Sequence, residues 1–574
     1  MVIKKYVMMS VKVGVGLIPK PIRIFLKKNP VLTSFYSRSL QQSGLFYGFP
    51  SKKKLQALYS RVINTQNEDI ANTLNRIKVV SSQFDVVVFA FGNGSLDDTL
   101  TSLSNQLAFV RNLYLFTNNE QLSANSTIAC NIEFITRLEN ITPRLIPLPL
   151  LMINQGDHLH PEALAVLARQ NFEGLLYTDS DEVSDNGSRE NARLLPGWNP
   201  DYQLTTGYIE TAVLIQPQAL DLINLNGVVS IAVFVGQLCG PNFNLPVKHL
   251  PLSLFHYVDN KKRKRDDLHE LATVAVRLGG RASVDEKMMV NKIQWPINNS
   301  PLVSLIIPTK NSKQLVQDCI ESILNKTTYY NYEIILVDNN SDEQESLEYF
   351  TELAQHSKIT VVKYPFPFNY SAINNFAVSQ CNGDVIGLVN NDIEVITPTW
   401  LDAMVGHATR PDIGCVGAKL LYSDGRVQHA GVVMGYGGGA GHAHKYFPRY
   451  HPGYMNRLSG TNNYSAVTAA CLLIKRELFM AASGLNETDL EVAFNDVDFC
   501  LKVQELGVRN LYCAEAELFH HESVSRGLDN TKEKRVRFEQ ELAYIQNKWA
   551  SYIENDPAYN PNLTLRRENF SIRE

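Results

Sequence analysis

No CxxC pair occurs in the 574 residues, although there are eight cysteines. Several sit inside apolar runs, such as Cys415 in IGCVGAKLL and Cys471 in AACLLI. They predict reduced, buried thiols in a cytoplasmic protein, not a disulfide frame or a zinc site. No apolar run reaches the roughly 18–20 residues that cross a bilayer. The longest candidate, VVSIAVFVG around Ile231, has the length of a core strand or helix. The N-terminus has Lys4 and Lys5 but no apolar stretch followed by a small-residue cleavage site, so neither secretion nor a transmembrane span is expected. A net charge of −4 gives no sign of wrapping nucleic acid. No GxGxxG follows the run VSLIIP (Val303 to Pro308), which disfavours a dinucleotide oxidoreductase. PTKNSKQL also lacks the basic, glycine-rich phosphate loop a nucleotidyltransferase would need. Asp and Glu are missing altogether from residues 1–61, which hold twelve Lys or Arg. Val13, Leu17, Ile18, Ile22 and Phe25 are interleaved with them, and Pro19, Pro21 and Pro30 interrupt any single helix. The segment suits peripheral contact with the cytoplasmic face of the inner membrane, at on the order of 1 kcal/mol per basic residue. The alternative is a solvated arm packed on the next domain.

What is present is more than one core's worth of chain, and two domains plus extensions are expected. Strand-like and helix-like segments alternate twice, from DVVVFAF (Asp85 to Phe91) and again from VSLIIP. Between the two series, KKRKRDD (Lys261 to Asp267) and WPINNSP (Trp295 to Pro301) concentrate charge, Pro and Asn as at a boundary. In the second series, Lys313 to Leu324 has helical spacing and YEIILVD (Tyr332 to Asp338) is a strand. Glu343 to Gln355 is a helix, ITVVKY (Ile359 to Tyr364) a strand, Ser371 to Ser379 a helix, and DVIGLV (Asp384 to Val389) a strand. Such alternation implies an α/β fold with a parallel sheet covered on both faces. Ligands on such sheets lie beyond the carboxyl ends of the strands.

Three of those ends are polar: Thr309-Lys310-Asn311, Asp338-Asn339-Asn340-Ser341 and Asn390-Asn391-Asp392. A carboxylate after the second strand can accept hydrogen bonds from a base or ribose, and one after the fourth can hold a divalent cation on a diphosphate. Each segment is also ordinary turn chemistry; their recurrence at successive ends favours function. Downstream, FNDVDFCLKV places Asp496 and Asp498 at a helix start. They are either capping and dipole partners there, or one of them is a general base. LFHHESVSRG offers an imidazole to a metal, or a core histidine. GYGGGAGHAH (Gly435 to His444) reads as a mobile loop near the acceptor or as a plain surface loop. His429, His442 and His444, in or beside it, match no metal signature.

VSLIIPTKN, YEIILVDNNS, GDVIGLVNNDIEV, GAKLLYSDGRVQHAGVV, GHAHKYFPRYHPGY, SAVTAACLLIKRELF, FNDVDFCLKV and LFHHESVSRG occur in this order. Together they resemble the GT-A fold, family 2 glycosyltransferases of bacterial surface-polysaccharide synthesis, rhamnosyltransferase-like members among them. The resemblance covers roughly 301–562. It implies two tandem GT-A-like domains with mixed, mostly parallel sheets. Residues 1–79 would be a basic extension, 80–260 a degenerate first domain, 261–300 a linker, 301–530 the catalytic domain and 531–574 a C-terminal helix and tail.

The resemblance further implies that Pro308, Thr309 and Asn311 line the nucleotide pocket, that Asp338 contacts the base with Asn340 beside it, and that Asn375, Gly383 and Asp384 lie along the donor path. Asn390, Asn391 and Asp392 take the place of the metal-binding acidic triplet, of which only Asp392 remains acidic. Asp496 takes the place of the catalytic base, with Asn495 where a Glu is usual. His520 is the implied ligand to Mn2+ or Mg2+, with His521 as alternative. The implied reaction is inverting transfer of a sugar from a nucleoside-diphosphate donor to a hydroxyl of a growing glycan such as O-antigen or capsule, L-rhamnose being the family-level candidate.

The first domain departs further. INQGDHL keeps only Asp157 of the metal-binding run, and VVSIAVFVGQLCG replaces the acidic helix, so a scaffold or acceptor platform is expected there. The competing reading of the whole chain is a non-catalytic glycan-binding scaffold, against which Asp392, Asp496 and His520 stand.

Overall fold

The structure is a computed structural model that describes residues 10–11, 14–15, 18–19, 52–92, 94–118, 131–141, 147–184, 186–240, 245–521 and 532–574. Most of the basic segment 1–61, Cys130 and residues 522–531 therefore lie outside the described residues.

Two sheets dominate, and each follows the alternating apolar runs read from the sequence. In the second half the spatial order is Ile359–Lys363, Tyr332–Asp338, Val303–Thr309, Val385–Val389, Cys471–Lys475, Ile413–Leu421, Arg509–His520 and Ile393–Val395. The first four strands run parallel, because the helices that connect them return the chain to the same end. Cys471–Lys475 pairs antiparallel on both sides. Every residue of Val385–Val389 and Ile413–Leu421 is buried, as expected of strands covered on two faces. One face packs on Lys313–Lys326 and Trp400–Ala408, the other on Tyr370–Val378 and Asn495–Glu505.

The first half repeats this topology strand for strand. Its order is Asn131–Ile135, Val110–Phe116, Phe84–Phe89, Leu150–Asn154, Ala212–Ile215, Leu175–Val183, Val247–His256 and His158–Leu159. The pattern of parallel and antiparallel pairs is the same. Two tandem α/β domains with mixed sheets are therefore present. VVSIAVFVG holds the helix Ile231–Gly236, wholly buried.

Two domain boundaries move. The helix Lys52–Arg76, placed in the extension by its charge, belongs to the first domain: Ile70 joins its core and the Tyr59 hydroxyl donates to Asp181. Residues 261–294 are not a linker. Lys261–Arg277 is a helix whose Leu268, Leu271, Val274 and Ala275 are buried, and Arg281–Asp285 pairs with Val290–Gln294 as a hairpin beside it. The basic run is simply the exposed first turns of that amphipathic helix. The C-terminal tail crosses between the halves, where Asn560 Nδ2 donates to Asp179 at 2.9 Å and to Leu195 O at 2.8 Å.

The seven described cysteines are free and buried. No helix among the described residues is long and apolar enough to cross a membrane.

Candidate active site

Parallel register sets the site. Thr309 lies opposite Asp338, and Val303 lies opposite Val385, so Thr309, Asp338 and the Asn390–Asp392 turn emerge at one edge. Asn391 Nδ2 donates to Thr309 Oγ1 at 3.0 Å across that edge. Asn311 and Asn340 adopt φ of 55° and 57°, a left-handed backbone that Asn tolerates better than most residues. The Asn311 N–H donates to Ser341 Oγ at 2.7 Å, its Oδ1 accepts from the Asp342 N–H at 2.9 Å, and Asp338 Oδ1 accepts from the Ser341 N–H at 2.9 Å. Pro308, Thr309, Asn311, Asp338, Asn340, Asn390 and Asn391 thus form one continuous rim.

Three expected donor residues are not on it. Gly383 and Asp384 precede Val385–Val389, so they lie at the amino edge, about 20 Å of strand away from Asn390. Gly383 is there for packing: a Cβ would meet Ser304 Oγ at 2.6 Å and Leu302 O at 2.8 Å. Asn375 points to the segment after Phe479 instead. Its Nδ2 donates to Leu485 O at 2.9 Å and Glu487 Oε1 at 2.7 Å, and its Oδ1 accepts from the Leu485 N–H at 2.9 Å. Direction along a strand, which a motif does not carry, separates Gly383 and Asp384 from the donor edge, and Asn375 is turned away on the helix Tyr370–Val378.

Asp392 meets His520 at 3.1 Å, Oδ1 to Nε2. His520 is the last residue of Arg509–His520 and pairs with Ile393, the residue after Asp392. Successive side chains on a strand face opposite ways. His521 accordingly turns aside, its Nδ1 2.7 Å from Ser423 Oγ and its Nε2 3.2 Å from Glu394 Oε2, and is no alternative ligand. Gln428 fixes the tautomer of His520. Its Oε1 lies 2.6 Å from His520 Nδ1, so the ring proton is held there and the Nε2 lone pair faces Asp392. Asn390 Nδ2 also approaches Nε2 at 3.1 Å, and the Tyr370 hydroxyl donates to Asn390 Oδ1 at 3.2 Å.

An imidazole lone pair and a carboxylate oxygen held together in this way suit a shared divalent cation, with diphosphate oxygens and water completing the shell. Among the described residues no third His, Cys, Asp or Glu joins them. Gln428 had no role in the sequence reading; its only signal there is adjacency to His429 in QHAG.

Asp496 lies in the first turn of the helix Asn495–Glu505 and is linked to the Asn390–Asp392 turn through residues 469 and 470. Its Oδ2 accepts from the Ala469 N–H at 3.1 Å and its Oδ1 from the Val497 N–H at 2.9 Å. The next residue, Ala470, accepts the Asn390 N–H at 3.0 Å. Burial raises the Asp496 carboxyl above its ordinary value, opposed by the Ala469 N–H and the Thr468 hydroxyl. A raised carboxyl is a better proton acceptor once ionised. Asp498 is instead spent on structure, accepting from Lys548 Nζ and Trp549 Nε1, both at 2.8 Å, which anchors Lys532–Lys548. Asn495 Nδ2 donates to Val492 O at 3.0 Å and caps the turn before the helix.

The glycine-rich segment, read as a loop, is a folded hairpin. Val432–Met434 pairs with Ala440–His442, and Gly435 and Gly438 take the turn at φ of 90° and 84°. Gln546 Nε2 donates to Gly438 O at 2.8 Å, tying the tip to the helix above.

In the first domain the corresponding acids have protein partners. Asp157 accepts from Asn154 Nδ2 at 3.0 Å and from the Val258 N–H at 3.1 Å, Asp179 from the Leu195 N–H at 2.8 Å, and Asp181 from Arg189 Nε at 2.6 Å.

Residues 304–481 match the family model described as glycosyl transferase family 2. An uncharacterized protein of Sinorhizobium fredii is 40% identical over 448 residues, 74% of this chain and 49% of its own. The O-antigen biosynthesis protein RfbC of Myxococcus xanthus is 31% identical over 454 residues, 73% of this chain and 34% of its own. The chain thus spans half or less of the length of these relatives. A solved mannosyltransferase of Pyrobaculum calidifontis, in complex with GDP-Man and Mn2+, overlaps 46% of this chain and 74% of its own at 16% identity and a TM-score of 0.34. That overlap is too low to bear on function.

Proposed function

We propose, from the premise that residues 304–481 are a glycosyl transferase family 2 domain, that this protein transfers a sugar from a nucleoside-diphosphate donor to a hydroxyl of a growing surface glycan. The observation that carries the reading is that the turn bearing the Asp392–His520 pair and Asp496 are joined through adjacent residues, the Asn390 N–H donating to Ala470 O and the Ala469 N–H to Asp496. The RfbC relative supports O-antigen or another surface polysaccharide as the context, with L-rhamnose the candidate sugar.

In this reading the rim from Thr309 through Asp338 to Asn391 binds the nucleotide. Asp338 holds the base end, and Asn311 and Asn340 shape the turn around it. Asp392 and His520 hold Mn2+ or Mg2+, Gln428 keeping the His520 lone pair available. A bound divalent cation supplies charge neutralisation on the departing diphosphate. Asp496 takes the proton of the acceptor hydroxyl as its oxygen attacks the anomeric carbon from the face opposite the diphosphate, so that one displacement inverts the centre. The first domain acts as scaffold or acceptor platform. The basic segment 1–61 suits contact with an anionic membrane surface.

The test is release of nucleoside diphosphate from a panel of nucleotide sugars with and without MnCl2. Mn2+-dependent release is expected, and Asp496→Asn should lose about 10²–10⁴-fold in rate while still binding donor. No release from any donor supports the non-catalytic scaffold, and unimpaired turnover in Asp496→Asn removes that residue from the role.

A further inference from the structure

Of the three histidines in and beside the glycine-rich hairpin, His444 is structural. It stacks on Phe570 at 4.3 Å and accepts the Tyr454 N–H at 3.1 Å. The other two pair with each other. His429, fully buried at the end of Val427–His429, meets His442 with 2.7 Å between their Nδ1 atoms, the rings edge to face at 4.9 Å. His520 acts electrostatically on both rings. Thr468, whose hydroxyl bonds Asp496, donates its N–H to His429 Nε2 at 3.4 Å. His429 thus stands next in the chain to Gln428, which bonds His520 Nδ1, and is tied through Thr468 to the segment that holds Asp496.

Their protons can be assigned from their partners. His429 Nε2 accepts two backbone N–H groups, from Gly431 at 3.3 Å and from Thr468 at 3.4 Å, so it carries a lone pair. Burial, reinforced by His442 and His520, pushes His429 well below the usual imidazole range. The ring is neutral and its proton sits on Nδ1, where it donates to His442 Nδ1. Burial also pushes His442 down, to about 3, with Lys445 and His520 acting in the same direction. His442 is then neutral too, and its own proton is left on Nε2.

We infer that His442, oriented by His429, binds the donor by giving its Nε2–H to an oxygen of the nucleotide sugar's diphosphate. The neighbours select this ligand. Lys445, and the divalent cation that Asp392 and His520 would hold, both call for an anionic oxygen beside them. A neutral N–H adds a hydrogen bond without the repulsion that a cationic imidazole would exert on a divalent ion. His429 is the positioning residue: it touches no substrate and acts by fixing which nitrogen of His442 bears hydrogen. This couples QHAG and GHAH, far apart in sequence, into one device, since Gln428 orients His520 just as His429 orients His442.

The inference rests on the glycosyltransferase reading, and the experiment separates the two. The full chain is assayed with MnCl2 and UDP-, GDP- and dTDP-sugars; if none is turned over, the reading itself falls and this inference with it. With an active donor, His442→Phe should lose roughly 10–100-fold in kcat/KM, the range of one hydrogen bond to a charged group. Affinity for the matching nucleoside diphosphate should weaken alongside. His442→Gln, which keeps an N–H near the Nε2 position, should stay within about threefold of wild type, well inside the span of one hydrogen bond. His429→Phe should behave like His442→Phe, and the double variant should cost no more than either. Equal losses in His442→Gln and His442→Phe, or none in His442→Phe, overturn the inference and leave the reading standing. Should the variants not fold, ¹⁵N-histidine spectra of the wild-type protein decide: hydrogen on His442 Nε2 is expected, and hydrogen on Nδ1 overturns it.

Discussion

Asp157 sits one residue before the short strand His158–Leu159, as Asp392 sits one residue before Ile393–Val395. His256 pairs with His158 at the place where His520 pairs with Ile393. The first half therefore keeps an acid and an imidazole at the positions of the second half's candidate cation pair, but their partners differ. His256 Nδ1 lies 2.5 Å from Asp181, where His520 has the neutral Gln428. Asp157 is almost wholly buried, and burial pushes its carboxyl up to about 6, against the pull of Arg263 and the Asn154 amide. The sign follows from comparing folded and unfolded states. A carboxyl raised from 3.8 to about 6 favours folding when protonated, so its contribution is complete below about pH 4 and is lost as pH rises through 6. Two units correspond to about 3 kcal/mol at most. Asp157→Asn, which keeps an acceptor for the Val258 N–H, should thus gain thermal stability relative to wild type as pH rises from 4 to 7. It should also keep its nucleoside diphosphate release. Melting curves across that range check the first expectation; an Asp157→Asn loss of turnover as large as that of Asp392→Ala would make the first domain catalytic after all.

At the scale of elements, Val385–Val389 shows what a motif can mislead about. The run GDVIGLVNND reads as one donor-binding block, yet its two ends lie on opposite edges of the sheet. Gly383→Ala should act purely on packing, because its Cβ would fall within 3 Å of Ser304 and Leu302. A loss of about 1–3 kcal/mol is expected from such overcrowding, with nucleotide affinity of the folded protein unchanged; weakened binding without a fall in melting temperature would put Gly383 back at the donor. The strands themselves were legible because buried parallel strands are short apolar runs with polar ends, and Tyr332–Asp338 matches its sequence reading residue for residue. The rim was legible for the same reason: Thr309 and Asp338 are the polar last residues of their strands, and Asp392 lies in the polar turn that follows Val389. Gln428, His429 and His442 were not, because their roles depend on which imidazole nitrogen faces which partner across a hairpin. The helix Lys261–Arg277 was read as a boundary because its lysines precede its buried face, so a local charge count masked the period.

At the scale of the whole molecule, the two duplicated halves are joined by groups that make sense only together. Asp201 of the first half is 3% exposed, and it receives Arg410 Nη1 at 2.5 Å and Arg509 Nη1 at 2.6 Å from the second. Burial alone would raise its carboxyl, but the two guanidiniums hold it far below the usual range. Both arginines also contact Asp412, Asn199 Nδ2 donates to Asn463 O at 3.1 Å, and the tail fastens Asp179 through Asn560. The segment Thr461–Thr468 runs from this junction toward the proposed base: Thr461 O accepts from Thr205 Oγ1 at 3.1 Å, and Ser465 Oγ donates to Asp556 Oδ1 at 2.5 Å. The first half thus braces the loop that carries Asp496's partners, whatever else it binds. Asp201→Asn leaves two buried arginines short of a counter-charge, a change that costs about 3–5 kcal/mol when one partner of a buried pair is removed. The variant should melt well below wild type and lose turnover, although Asp201 belongs to the other half. Calorimetry should show wild type unfolding in one cooperative transition. If residues 301–574 produced alone were as stable and as active as the full chain, or if Asp201→Asn melted like wild type, the bracing role of the first half would be wrong.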